Sequence, residues 1–112
     1  MIRNAGGRAF DAIRSLSIMQ TAAAPGTIVV MHHTDCGMTH FHDAYIKKAL
    51  LEIAPQEEEL IEASKFGEIT NSIEDSIRED IAILKASPLI KKSTRFIGLK
   101  FDISTGLLTE IM

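Results

Sequence analysis

The stretch Thr27–Met38, TIVVMHHTDCGM, constrains this chain more than any other. Within it, Ile28-Val29-Val30-Met31 is a short, wholly apolar run, rich in β-branched residues and of the length of one strand. An apolar run without polar alternation is the pattern of a strand buried on both faces, as inside a parallel sheet. The run leads straight into His32-His33-Thr34-Asp35-Cys36-Gly37, which spaces an imidazole and a thiol as His33-x-x-Cys36 and follows them with a glycine. Ligands of open α/β sheets bind just beyond the carboxyl ends of the strands, so chemistry is expected at this corner.

The rest of the chain reads as elements arranged around that strand. Arg3-Asn4-Ala5-Gly6-Gly7 is a turn-forming cluster of the kind that ordinarily follows a strand. Ala9–Met19 places Ala9, Phe10, Ala12, Ile13 and Leu16 on one face, which predicts a helix with Asp11 in its first turn, where a negative charge suits the helix dipole. Ala22-Ala23-Ala24 continues that helix until Pro25-Gly26 stops it. Asp43–Ile53 reads as a second helix, with Ala44, Tyr45, Ile46, Ala49, Leu50 and Ile53 as candidate buried positions and Pro55 as its end. Gln56–Phe66, Glu-rich and anchored by Leu60, Ile61 and Phe66, reads as a short surface helix stopped at Gly67. The clearest helix is Ser72–Ala86: Asn71 and Glu74 resemble a capping box, Ile73, Ile77, Ile81 and Leu84 form one core-facing stripe, and Ser87-Pro88 closes it. Arg95–Asp102 and Leu107–Ile111 are strand-like, and Ile103-Ser104-Thr105-Gly106 between them is a hairpin signal with glycine at the left-handed position.

A length of 112 residues sets one domain, 1–112, with a modest core. No apolar run approaches the ~20 residues of a membrane helix, and Ile2–Phe10 holds Arg3 and Arg8 without the apolar block of a secretory signal. The net charge is −3 and the basic residues are scattered, Lys47-Lys48 and Lys91-Lys92 being pairs and not a stripe, which argues against a nucleic-acid partner. Cys36 is the single cysteine and cannot form an internal disulfide, so a reducing compartment, the cytoplasm, is expected.

His33 and Cys36 make half of a metal site, since zinc favours thiolate sulfur and imidazole nitrogen and a catalytic zinc keeps three protein ligands and one open position. The same spacing also arises where a cysteine is a buried apolar side chain beside an unrelated histidine. A third reading makes Cys36 a redox-sensitive thiol, which requires it to be exposed. Glu57-Glu58-Glu59 reads as a solvated helix face and not a cation site, and Asn4 with Gly6-Gly7 as either a plain turn or a backbone cradle for an anion.

The motifs as a set resemble one family. HHTDCGM after Val29-Val30 is similar to the second zinc motif of the β-class carbonic anhydrases, in which the His and Cys of H-x-x-C are ligands. Arg3-Asn4-Ala5-Gly6-Gly7 matches the RNAGG after the family's second strand, and Ala12-Ile13-Arg14-Ser15-Leu16 resembles the helix between the motifs. Ser76-Ile77-Arg78-Glu79-Asp80 and the run Phe96–Leu107 resemble its late helix and terminal hairpin. The resemblance implies an α/β fold with a central, mostly parallel sheet, flanking helices and a C-terminal hairpin. It also implies zinc held by His33 and Cys36, and Gly37 and Asn4 beside the substrate pocket. The implied reaction is reversible hydration of carbon dioxide to bicarbonate, for which zinc lowers the pKa of its bound water to about 7. Some members hydrolyse related small molecules such as carbonyl sulfide, and the subunits pair as homodimers.

The family's first motif, C-x-D-x-R on the strand before RNAGG, supplies the third zinc ligand and an Asp–Arg pair at the metal. Nothing before Arg3 encodes it, and Cys36 has no companion cysteine. The expectation is an N-terminally truncated member lacking its first strands, with weak or absent zinc in this chain alone. The alternative role is a non-catalytic remnant that associates with a full-length relative. Of the nearby donors, His32 is expected to point away from His33, and His32, Asp35, His40 and His42 are each expected to be solvated loop residues. Ile28–Met31 is expected to present an unpaired edge.

Overall fold

In the computed structural model, which describes residues 1–23 and 25–112, the apolar run forms β1 (Thr27–His33) and pairs in parallel with β2 (Arg95–Phe101). β2 in turn pairs antiparallel with β3 (Leu108–Glu110), giving a mixed sheet in the order β1-β2-β3. The helices are α1 (Ile13–Ala22), α2 (Asp43–Ile53), α3 (Glu58–Ala63) and α4 (Ile73–Ala86). The α/β class expected from sequence is present, with helices between β1 and β2 as a parallel pair requires.

α4 organises the core. Its stripe faces the sheet, with Ile77, Ile81 and Leu84 fully buried and Ile73 packed at the edge. Val30 from β1, Ala9 and Ile90 complete the buried cluster, and Ile13, Leu16, Ile28 and Phe96 flank it. The close approach of α4 to the sheet is made possible by Gly98, the register partner of Val30. A Cβ there would lie 2.6 Å from Ile77 Cγ2 and 3.0 Å from Ile81 Cδ1.

The helix start differs from expectation by one residue. Ser72, in extended conformation, is the cap, its hydroxyl accepting from Asp75 N–H at 3.0 Å; Asn71 is not. A serine oxygen at this position satisfies one of the free N–H groups of the first turn. Ser72→Ala is expected to lower the unfolding free energy by about 1 kcal/mol, measured as a shift in urea midpoint, whereas Asn71→Ala is expected to leave it unchanged.

Four further expectations are corrected. β1 is not buried on both faces: Val30 and His32 point to α4, while Val29 and Met31 are 51 % and 49 % exposed. α4 and the start of α1 both pack on the Val30 side, and no other described element covers the opposite one. The α-helix of Ala9–Met19 begins only at Ile13, because Ala9–Asp11 is a 3-10 turn; Ala24 lies outside the described residues. In α2, Ala44, Tyr45 and Ile53 are exposed and Ile46, Ala49 and Leu50 only half-buried, since α2 packs on α3 and the turn Pro55–Glu57. In α3, Ile61 takes the inward position and Leu60 is exposed. The terminal hairpin closes as expected, with Gly106 at φ 75° and its N–H donating to Asp102 O at 2.7 Å.

Lys100 Nζ on β2 donates to Glu74 Oε1 on α4 at 2.6 Å. That hydrogen bond, with one from the helix backbone, holds the Glu74 carboxyl below its ordinary value of 4.5 despite partial desolvation. A lowered carboxylate contributes stability that is complete above the unfolded-state value and is lost as pH falls through the folded one. The urea midpoint of the parent is therefore expected to exceed that of Glu74→Gln at pH 6, and the gap to close as the pH is taken from about 4.5 towards 3.

Candidate metal centre

β1 delivers its last two residues to opposite sides of the sheet. His33 points to the exposed face and His32 into the protein, where it is 2 % exposed. After Thr34, whose N–H still bonds to Phe101 O at 2.9 Å, the chain turns through Asp35 at φ 51°. This left-handed step, which aspartate tolerates better than most residues, brings Cys36 back under the structure, 4 % exposed. Thr39 then clamps the turn, its N–H and hydroxyl both donating to Cys36 O, at 3.0 and 2.6 Å.

The backbone orients the His33 ring. Its Nδ1 lies 2.7 Å from Thr34 O. A carbonyl only accepts, so Nδ1 carries the proton and Nε2 presents a free lone pair, the arrangement that orients ligating histidines in metal sites. Gly37 opens the following turn, and a Cβ added there meets nothing within 4 Å. The glycine loop lies alongside: a Cβ on Gly6 would come 2.9 Å from Met38 Cγ. Asn4 braces that loop, its Oδ1 accepting from Arg8 N–H at 2.7 Å and its Nδ2 donating to Arg8 O at 3.0 Å.

The other sequence-selected donors stay apart. His40 meets Asp35 at 3.4 Å and His42 meets Glu68 at 3.4 Å, with His40, Asp35 and His42 all exposed as expected. His32 is not the solvated residue the sequence suggested. Its Nδ1 lies 2.8 Å from Ser76 Oγ, and its Nε2 lies 3.1 Å from Gly7 O and 3.0 Å from Asp80 Oδ2. Arg8, Ser76 and Asp80, which sequence reasoning passed over, form a buried polar cluster with it. One signal was available: Ser76 and Asp80 fall four apart on the same face as the isoleucine stripe of α4, where polar residues are out of place.

These features match known proteins over almost the whole chain. Over 112 residues the sequence is 35% identical to β-carbonic anhydrase 1 of Mycobacterium tuberculosis, a match of 99% of this chain and 66% of that protein. The fold superposes on the carbonic anhydrase from Glaciozyma antarctica with a TM-score of 0.89 at 38% identity, covering 99% of this chain and 66% of that one. The chain belongs to the β-carbonic anhydrase family. A carbon disulfide hydrolase of Acidianus sp. is also similar, 32% identical over 128 residues, covering 96% of this chain and 63% of the hydrolase. No family model matches the sequence. The chain therefore spans just under two thirds of the length of these carbonic anhydrases and hydrolases.

The zinc that a β-carbonic anhydrase implies does not fit the donors found here. A catalytic zinc takes three protein ligands, and among the described residues no group of three or more His, Cys, Asp and Glu side chains is placed to hold a metal ion. The pair selected from sequence, His33 and Cys36, supplies two donor side chains at most. The burial of Cys36 also removes the accessibility that a redox-sensing thiol requires.

Proposed function

We propose that the chemistry of this chain is that of a zinc-dependent carbonic anhydrase, the reversible hydration of carbon dioxide to bicarbonate, and that the chain does not perform it unaided. The supporting observation is the state of His33, whose Nδ1 is engaged by Thr34 O so that Nε2 is left as a ligand beside the Cys36 turn. His33 and Cys36 are two ligands of the ion, and the third comes from outside the described residues. Gly37 and Asn4 border the substrate, supported by the open space at Gly37 and by the contact that lays the Asn4–Gly7 loop on the Gly37–Thr39 turn. The relatives' named activities share an electrophilic carbon between two oxygen or sulfur atoms, and the substrate belongs to that class. The domain is the whole of 1–112, and no described helix is long and apolar enough to cross a membrane.

Cobalt(II) titration of the purified chain tests this reading, with thiolate-to-metal absorbance as the signal and carbon dioxide hydration assayed alongside. A weak signal lost in both His33→Ala and Cys36→Ser, with no hydration above buffer, is the expected result. Equal metal binding in Cys36→Ser would overturn the ligand assignment. One tightly held ion per chain with turnover would overturn the need for an outside donor.

A second reading, a non-catalytic partner that associates with a longer relative, is favoured by the sheet. β1 has no strand partner on its outer side among the described residues, and Val29 and Met31 lie open beside that edge. Such an edge offers unpaired backbone groups to another chain. Homodimers, as the family resemblance implies, are a further form of the same pairing.

A further inference from the structure

We propose that Asp80 is a positioning residue for the His33–Cys36 corner, gripping from α4 both the strand end and the glycine loop that flank it. The role as the holder of a donor pair rests on the function proposed above.

Asp80 is fully buried, one helical turn after the equally buried Ser76, on the face of α4 that meets β1. Its Oδ2 accepts the N–H of Ala9 at 3.2 Å and faces His32 Nε2 at 3.0 Å. Its Oδ1 lies 3.4 Å from Arg8 Nη2, and Arg8, 4 % exposed, reaches Glu79 at 3.2 Å at the rim. One carboxylate thus joins three segments distant in sequence. A buried carboxylate costs several kcal/mol unless its lone pairs are met. Here Oδ2 accepts from the Ala9 N–H and faces His32, while Oδ1 makes no hydrogen bond and is offset by the charge of Arg8 alone, so the carboxylate depends on all three neighbours.

The proton inventory shows how His32 is held. His32 Nδ1 lies 2.8 Å from the Ser76 hydroxyl, which is itself 2.7 Å from Ile73 O. Nε2 faces two acceptors, Gly7 O and Asp80 Oδ2, so it carries a ring proton. The consequence for His33 follows from strand geometry. A shift of one residue in a strand exchanges its two faces, and consecutive histidines give no side-chain preference for which of them is inside. The acceptors on α4 and Gly7 make the choice: they hold His32 inward, and His33 is left facing out.

The same carboxylate secures the loop. Ala9 N–H and Arg8 tie to Asp80, Asn4 ties to Arg8, and Gly7 at φ 63° lies so close to the strand that a Cβ would be 3.2 Å from Met31 O. Gly6 in turn lies so near the turn after Cys36 that a Cβ on it would be 2.9 Å from Met38 Cγ. Release of Asp80 is therefore transmitted through the loop to Cys36.

The single cysteine gives a direct readout. Alkylation of Cys36 by iodoacetamide is followed by mass spectrometry in the metal-free chain, at a temperature where parent and variants are folded by circular dichroism. Asp80→Asn is expected to raise the rate about tenfold and Ser76→Ala by less, through local opening of the corner. Leu84→Val, a core change one turn further along the same helix face, is expected to leave it within about twofold. Asp80→Asn is also expected to abolish the slowly exchanging His32 ring N–H resonance, which a change in packing alone would leave in place. Unchanged Cys36 protection in the folded variants, or an equal rise in Leu84→Val, overturns the proposal. If Asp80→Asn does not fold, Ser76→Ala decides alone. Because no metal or substrate is used, failure of the cobalt titration leaves this test untouched.

Discussion

Ile77→Ala is expected to lower the free energy of unfolding by about 4 kcal/mol. Ile77 has no exposed surface and packs where α4 lies over Gly98 of β2. Truncation to alanine removes apolar contact and leaves a cavity, and the cost depends on how far the surroundings close in. Here α4 is pinned on either side of the contact, by Asp80 to Ala9 and by Glu74 to Lys100, so closure is resisted. Against a typical total of 5–15 kcal/mol for a folded domain, about 4 is a large share. Urea unfolding followed by circular dichroism measures it, and a loss below about 1.5 kcal/mol would show that α4 settles onto the sheet.

Gly98→Ala is the complementary case, with an expected loss of about 2–3 kcal/mol from overpacking. The new Cβ would sit 2.6 Å from Ile77 Cγ2. That methyl is carried on a β-branched carbon whose rotamer the helix restricts, so it cannot swing aside cheaply. The two changes are expected to be non-additive. In the Ile77→Ala background the added methyl enters the vacated space, and the double variant is expected to be more stable than the sum of the single losses by about 1–2 kcal/mol. Strict additivity in the same urea experiment would show that the two positions do not share one contact.

The elements read well from sequence were those whose partners are close along the chain. The Ile73/Ile77/Ile81/Leu84 stripe has a helical period and defined ends, and the hairpin has a glycine at φ 75° where one was needed. The His33–Cys36 corner was legible as a motif because strand end, turn and thiol lie within a few residues of one another. What failed depended on partners elsewhere. An apolar strand has the same composition whether one or both faces are covered, so the exposure of Val29 and Met31 was not readable in β1 itself. The apolar residues of α2 likewise promised a buried face, yet α2 packs chiefly on α3.

By itself, then, the sequence determined the class of fold, the order of its elements, the α4 stripe and the place of the His33-x-x-Cys36 motif at the end of β1, because these depend on periodicity and on neighbouring residues. The tertiary structure alone decided which of two adjacent histidines is buried and that Asp80 lies at the centre of a polar cluster. It also decided that, among the described residues, no three His, Cys, Asp or Glu side chains come together to hold a metal ion. Those outcomes depend on acceptors brought in from residues 44 and 71 positions away along the chain, and no local pattern encodes a hydrogen bond at that range.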